Sequence, residues 1–140
     1  MELGIKAKEI MKQEFPILDS SLTIETCIKR LDGYEACIVL HEGYLHSVVS
    51  YDDLLRAFLA RKKKGLSLGE IKQPQKFVII RPETDAIEII NMMREDDIDF
   101  FVVRDKNLIG LITKREIAEI NQLLFDDWEL WEETRMKVAA

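Results

Sequence analysis

Two pairs of residues combine a hydroxyl with an acid three positions later: Ser50 with Asp53, and Thr113 with Glu116. Each pair follows an apolar run that predicts a strand and precedes a pattern that predicts a helix. At a helix start this spacing is a capping box, in which the two side chains satisfy free backbone N–H groups. The same position favours anions, and a carboxylate there can accept hydrogen bonds from both hydroxyls of a ribose. Spacing alone favours the capping role over a nucleotide site.

The two pairs close two copies of one sequence pattern. An offset of 61 residues relates Ile10 to Ile71 near the start of the copies. At the closing acids the offset is 63. An internal repeat of this kind decides the architecture before any single residue does.

Each copy predicts a β-α-β-β-α order of elements behind an extended opening segment. Proline, β-branched runs and turn residues place the strands of the second copy at 77–80, 100–103 and 108–112. A helix is predicted from Asp85 to about Arg94, with Asp85 and Glu88 at capping-box spacing. In the first copy strands are predicted at 17–18, 37–40 and 45–49, and Thr23 is the candidate helix N-cap.

The continuous apolar runs indicate strands that are covered on both faces. A unit of about 60 residues cannot bury that much surface by itself. We therefore predict an α+β fold in which two β-α-β-β-α repeats pack sheet to sheet about a pseudo-twofold axis, with a long C-terminal helix. The predicted divisions are a first motif at 1–60, a basic linker at 61–67, a second motif at 68–120 and a helical extension at 121–140.

The C-terminal extension carries an apolar stripe that includes Trp128 and Trp131. Such a stripe is more apolar surface than a lone helix exposes without cost. It either folds back on the core of the chain or pairs with a second subunit, and the pattern does not decide between these outcomes.

Composition narrows the class of protein. Of 140 residues, 47% are hydrophobic and 33% charged, which is typical of a folded globular protein. No apolar run approaches the length of a membrane helix, and the N-terminus lacks the pattern of a signal peptide, so we expect a cytoplasmic protein without membrane contact. In that compartment we expect Cys27 and Cys37 to be reduced residues of the core. The net charge of −6 disfavours nucleic acid as a partner, despite the basic run 61–64.

Sequence motifs for catalysis are lacking. His41, His46 and the two cysteines have no zinc-ligand spacing, and the acidic run 96–99 lacks the glycine and closing glutamate of a calcium loop. There is no glycine-rich phosphate loop and no nucleophile elbow. We therefore expect no enzyme activity, no catalytic residue, no metal site and no required cofactor.

The two copies resemble a tandem pair of CBS domains, a Bateman-type module named after cystathionine β-synthase. The opening segments Lys8-Glu9-Ile10-Met11 and Gly69-Glu70-Ile71 are similar to the family's opening motif. Residues 81–85 match its strand-to-helix turn, and residues 48–54 and 110–117 match its closing motif. The resemblance covers about residues 7–120, which is most of the chain.

This resemblance implies an adenine-nucleotide ligand in the cleft between the repeats. By that likeness Ser50 and Asp53 hold a ribose, with Ile17 and Ile38 beside the base. The corresponding residues of a second site are Thr113, Glu116, Ile79 and Phe101.

The copies depart from the family pattern in different places. Glu116 stands where the family usually has aspartate, and its extra methylene displaces the carboxylate from a bidentate ribose contact. In the first copy Asp52 stands where the second copy keeps Arg115, which could pair with a phosphate. We therefore expect one principal site, built on Asp53, with cationic help from the other copy or from the basic run.

The resulting hypothesis is a stand-alone regulatory CBS pair that binds AMP, ADP, ATP or a similar adenosine-containing ligand. It would signal through conformation or assembly, and the family resemblance implies a homodimer. The alternative is an interaction or dimerisation module with degenerate ligand sites, in which Trp128 and Trp131 anchor a protein partner. Nucleic-acid binding is a third and weaker hypothesis.

Overall fold

The computed structural model of the protein describes residues 2–60, 64–72 and 74–124. Most of the basic run, together with Trp128, Trp131 and the predicted extension beyond 124, lies outside the described residues. The elements of the first half are α1 (Ala7–Ile10), β1 (Ile17–Asp19), α2 (Ile24–Arg30), β2 (Ala36–His41), β3 (Tyr44–Ser50) and α3 (Tyr51–Ala60).

The second half repeats this order. A short 3₁₀ helix, Leu68–Glu70, takes the place of α1. It is followed by β4 (Phe77–Ile80), α4 (Ala86–Glu95), β5 (Phe100–Arg104), β6 (Leu108–Ile112) and α5 (Lys114–Leu124). The predicted strands and helices are all present where the structure describes the chain, and the predicted α+β repeat fold is confirmed.

Each half forms one three-stranded sheet. The strand orders are β1-β2-β3 and β4-β5-β6, with a parallel first pair and an antiparallel second pair in both sheets. The parallel pair is connected through a helix and the antiparallel pair through a tight hairpin, which is the connection that each pairing requires. The hairpin of the first sheet turns at Glu42 and Gly43, both of which have positive φ.

The two sheets pack face to face. Their facing side chains form one buried cluster that consists of Ala36, Ile38, Val48, Phe100, Val102 and Leu111. Because side chains alternate along a strand, the intervening residues point to the opposite faces. There they form two further clusters with the helices, one for each half. Covering both faces explains the continuous apolar runs in the sequence.

The opening segments are exchanged between the halves. In the first opening segment the N–H of Ala7 donates to the Thr84 carbonyl at 2.8 Å, and Lys12 pairs with Leu111 on β6. In the second opening segment Gln75 pairs with Val48 on β3 in the corresponding way. Each half therefore completes the sheet edge of the other, which ties the two repeats into one unit.

Side-chain caps define the starts of α2 and α4. Thr23 Oγ1 accepts a hydrogen bond from the Thr26 N–H, as its N-cap role predicts. Asp85 caps α4 through the Ile87 N–H at 2.9 Å, and the capping box predicted with Glu88 is replaced by other contacts. Its carboxylate also accepts hydrogen bonds from the N–H groups of Leu3 and Gly4, so it fixes the N-terminal segment to the second half.

Both cysteines are buried with free thiols, which confirms the interpretation as reduced core residues. Burial raises the pKa of Cys37 to about 12, because the apolar surroundings disfavour the thiolate. Among the described residues, no helix is both long and apolar enough to cross a bilayer.

Candidate functional site

The first candidate site lies where β3 runs into α3. The Ser50 N–H donates to Asp53 Oδ2 at 3.0 Å, and the Asp53 N–H donates to Ser50 Oγ at 3.1 Å. These reciprocal bonds are the capping box that the spacing predicts. The acid is held in the first turn of a ten-residue helix, where the helix dipole favours its negative charge.

The second junction, between β6 and α5, has a different arrangement. Both the N–H and the hydroxyl of Thr113 donate to Glu116 Oε1, at 2.7 and 2.9 Å. The Thr113 hydroxyl oxygen in turn accepts from the Arg115 N–H at 3.2 Å. The longer glutamate therefore reaches over the threonine and uses one oxygen for both bonds, leaving its second oxygen directed elsewhere.

Each acid also has a partner from the opening segment of the other half. Gln75 Nε2 lies 3.0 Å from both carboxylate oxygens of Asp53. Lys12 Nζ lies 3.5 Å from Glu116 Oε2. These two contacts occupy corresponding positions in the repeat, but one partner is a neutral amide and the other is a cation. The sequence reasoning missed both residues, since neither belongs to a local motif.

The hydroxyl–acid pairs are buried. Asp53 is 9% exposed and Glu116 is 3% exposed, and Ser50 and Thr113 are buried beside them. Buried carboxylates require hydrogen-bond donors, and here the protein itself supplies them. The protein donors thus limit the directions from which a ligand can reach either acid.

The predicted base-flanking residues lie on the edge strands and the central strands. Ile17 on β1 pairs with Ile38 on β2, and Ile79 on β4 pairs with Val102 on β5. Ile17 and Ile79 are 46% and 40% exposed, which leaves an apolar side chain accessible at the edge of each sheet.

Phe101 does not lie at the position that corresponds to Ile38 in the other repeat. Phe101 lies in the cluster between the second sheet and its helices, whereas Ile38 lies in the cluster between the two sheets. Val102 is the residue that shares the face of Ile38. Strand residues alternate between faces, so an error of one residue in the repeat offset places the side chain on the wrong side.

A cavity of about 650 Å³ lies between the two junctions. Ser50 and Asp52 line it from the first half, and Lys114 and Arg115 line it from the second. Gln75 also lines it, which places the cavity next to the Asp53 carboxylate. Of the predicted site residues, the cavity thus brings Ser50 and Arg115 together.

The cavity contains charges of both signs. Its walls carry four acids, Asp32, Glu35, Asp52 and Asp99, and three bases, Arg56, Lys114 and Arg115. Lys114 and Asp99 pair with each other at 3.3 Å. The two arginines are therefore the cationic groups that can meet an anionic ligand bidentately. Of the two arginines, the sequence analysis named only Arg115, because Arg56 lies just beyond the closing motif of the first copy.

One acid of the cavity wall is incompletely satisfied. Glu35 Oε2 is buried and has no hydrogen-bond partner in the described structure. Glu35 follows the loop after α2 and directly precedes β2. Because the next residue, Ala36, pairs with Ser50, Glu35 lies at the end of the first sheet beside Ser50. The described part of the chain contains no group of three or more His, Cys, Asp or Glu side chains that could hold a metal ion.

Solved structures with this fold are numerous. A putative acetoin utilization protein, AcuB, from Vibrio cholerae is 23% identical, with 94% of this chain and 98% of the other covered and a TM-score of 0.73. A CBS domain pair in complex with 5′-methylthioadenosine and S-adenosyl-L-methionine is 20% identical, with coverages of 83% and 94% and a TM-score of 0.70.

A third structure is the CBS domain of a bacterial CNNM/CorC family Mg²⁺ transporter in complex with ATP. It is 22% identical, with coverages of 81% and 84% and a TM-score of 0.68. Identities this low establish a shared fold. Comparison of the sequence with curated proteins gave no significant match. The sequence profile of the CBS domain matches the chain twice, at residues 7–60 and 68–122, and the chain therefore belongs to the CBS domain family.

Proposed function

We propose that the chain is a regulatory CBS pair that binds one adenosine-containing ligand at the junction of β3 and α3. The observation that carries this proposal is the cavity that joins Ser50 of the first repeat to Arg115 of the second. Asp53 provides the ribose-binding carboxylate beside that cavity, and the exposed Ile17 provides an apolar surface for the base.

The charges of the two halves complement each other in this arrangement. Asp52 repels a phosphate in the first repeat, but Lys114 and Arg115 reach the same cavity from the second. A ligand bound at Asp53 can thus have its ribose held by one repeat and its 5′ group by the other. One of the similar CBS structures contains ATP and another contains 5′-methylthioadenosine and S-adenosyl-L-methionine, which supports this class of ligand.

The second junction is a poorer site. Glu116 is more deeply buried than Asp53, and Lys12 already neutralises its charge. Removing a cation from a buried carboxylate costs more than removing a neutral donor, since an uncompensated charge is left behind. We therefore assign the ligand to the Asp53 junction alone.

Signalling follows from the position of the site between the repeats. A ligand that touches both halves stabilises the relative placement in which both sets of contacts form. It shifts the population toward that placement only to the extent that its affinity differs between placements. A change in conformation or assembly is then the output of binding.

The first experiment is a thermal-shift panel of AMP, ADP, ATP, NAD and S-adenosylmethionine. A ligand at about 100 times its dissociation constant stabilises the folded state by about 2.7 kcal/mol. A positive result with one member supports the proposal. No shift with any member would contradict it and favour an interaction module with degenerate sites.

Variants then locate the site by calorimetric titration with AMP and adenosine. Asp53→Ala should weaken both ligands about tenfold or more, since it removes hydrogen bonds to a charged group. Arg115→Ala should weaken AMP and leave adenosine unchanged, because only AMP carries a phosphate. Glu119→Ala, an exposed acid on α5 outside the cavity, is the matched control and should change neither.

A further inference from the structure

Gln75 occupies the carboxylate on which the proposed site depends. Its Nε2 atom lies 3.0 Å from both oxygens of Asp53, and its backbone N–H donates to the Val48 carbonyl at 3.1 Å. The backbone contact brings the second opening segment to the edge of the first sheet. The side chain can then reach Asp53 across the boundary between the repeats.

The carboxamide occupies the side of the carboxylate that a ribose would use. Its single nitrogen lies 3.0 Å from both oxygens of Asp53, so one N–H is shared between them, because the two N–H bonds of an NH₂ group point away from each other. A vicinal diol has two O–H donors, one for each oxygen, and likewise no charge. Gln75 therefore holds, with one shared donor, the position in which a ribose would place two.

The corresponding residue of the other repeat does something different. Lys12 forms two backbone hydrogen bonds with Leu111, at 2.9 and 3.0 Å, and its side chain pairs with Glu116. Gln75 has the single backbone bond to Val48. The Asp53 contact is thus held by fewer bonds and by a neutral group, so it is the one that a neutral diol can exchange.

We propose that Gln75 determines the affinity and specificity of the Asp53 site by occupying the position of the ribose diol. The inference rests on the proposed function. A ligand forms hydrogen bonds with Asp53 only by displacing the Gln75 amide, which requires two adjacent hydroxyls. Ligands that lack the diol leave Gln75 in place and form no hydrogen bond with Asp53.

The hydrogen bonds of a ribose to Asp53 are stronger than the Gln75 contact that they replace. Hydrogen bonds from O–H to an ionised carboxylate are typically shorter and stronger than an N–H contact of 3.0 Å. Because the ligand must displace Gln75, Asp53 contributes less to the free energy of binding than it would alone, but the contribution is not lost. Removing Gln75 should restore the full contribution of Asp53 to binding.

The test measures adenosine affinity by calorimetry in a double-mutant cycle at Gln75 and Asp53. Gln75→Ala should strengthen adenosine binding about tenfold, which corresponds to about 1.4 kcal/mol. In the Asp53→Ala background the same substitution should change nothing, because there is no carboxylate left to release. Gln13→Ala is the matched control: it removes an exposed glutamine from the first opening segment, next to Lys12, and should leave affinity unchanged.

A second ligand and a second variant complete the design. 2′,3′-Dideoxyadenosine should gain nothing from Gln75→Ala, since it has no hydroxyls for Asp53. If Gln75→Ala does not fold, Gln75→Met removes the donors while keeping the length of the side chain, and it should strengthen adenosine binding in the same way.

Three results would overturn the proposal. One is an unchanged or weaker affinity of the folded Gln75 variants for adenosine. Another is an equal gain for the dideoxy compound, and the third is an equal gain in the Asp53→Ala background. If wild type binds a member of the nucleotide panel while the Gln75 variants show no gain with adenosine, the proposed function stands and only the role of Gln75 is rejected.

Discussion

Replacing Gly110 with alanine should destabilise the protein through the opening segment of the other repeat. Gly110 lies on β6, and a Cβ atom built on it would be 2.7 Å from both Cβ and Cγ of Met11 and closer still to its sulfur. The Met11 thioether is flexible, but its Cβ cannot rotate away, so the backbone at Met11 must move. Overpacking of this kind costs about 1–3 kcal/mol, and the backbone contact places Gly110→Ala in the upper half of that range.

Urea unfolding of wild type and variants measures this cost as a change in the free energy of unfolding. Ser47→Ala is the control, because Ser47 takes the corresponding position of the first repeat and already carries a Cβ. It should lose about 1 kcal/mol or less, the value of its hydrogen bond with His46. Met11→Ala should cost less in the Gly110→Ala background than in wild type, since the clashing sulfur and Cγ are then gone. Equal losses for Gly110→Ala and Ser47→Ala, or additive effects of the Met11 and Gly110 substitutions, would refute this reasoning.

The remaining predictions concern titration. Burial works to raise the pKa of Asp85, but the N–H groups of Ile87, Leu3 and Gly4 together with Lys6 hold that pKa below its ordinary value. The ionised Asp85 therefore stabilises the folded state above about pH 4, and this stabilisation is lost as the pH falls below that value. Asp85→Asn should lower the free energy of unfolding at pH 7 and much less at pH 3. Equal losses at both pH values would contradict the assignment. Since burial raises the pKa of Cys37 to about 12, a disulfide reagent at pH 8 should modify it only after denaturation, and rapid modification of the native protein would show that its site opens.

The elements of this fold could be predicted because their signals are local. The strand at 77–80 ends before a proline, and the strand at 108–112 follows a three-residue turn. Both have the predicted bounds. The strands β2 and β3 extend one residue beyond the prediction at each end, where Ala36 and Ser50 pair across the hairpin. Ladder pairing of this kind depends on the partner strand and is not encoded in either segment alone.

The mismatch between Phe101 and Ile38 has a specific structural cause. The repeat offset is 62 residues at Ile17 and Ile79, but it is 64 at Ile38 and Val102. The helix between these strands has seven residues in the first repeat and ten in the second, and the loop that follows it is one residue shorter in the second repeat, which leaves a net difference of two. Phe101 corresponds to Ile38 by an offset of 63, the offset at the closing acids, and the alternation of strand faces turns this shift of one residue into the wrong surface.

The partners of the two acids could not be predicted at all. Gln75 and Lys12 reach Asp53 and Glu116 across the boundary between the repeats, and they are 22 and 104 residues away from them in the chain. The capping boxes at the same acids were predictable because their bonds span three residues. Local chemistry was thus visible in the sequence, whereas the exchange of opening segments follows from the packing of whole repeats.

That exchange makes the differences between the repeats meaningful as pairs. The shorter acid, Asp53, faces the neutral Gln75, and the longer acid, Glu116, faces the cationic Lys12. Removing the cation from the buried Glu116 leaves an uncompensated charge, whereas exchanging one neutral donor group for another at Asp53 costs much less, because the carboxylate keeps hydrogen-bond partners. One junction can therefore trade its internal partner for a ligand, while the other fastens the first opening segment to the second sheet. Both opening segments cross the same boundary, so under the proposed function a ligand at Asp53 would release one side-chain contact between the repeats and leave the Lys12–Glu116 contact intact. The proposal therefore places the coupling between binding and the relative placement of the repeats at Gln75.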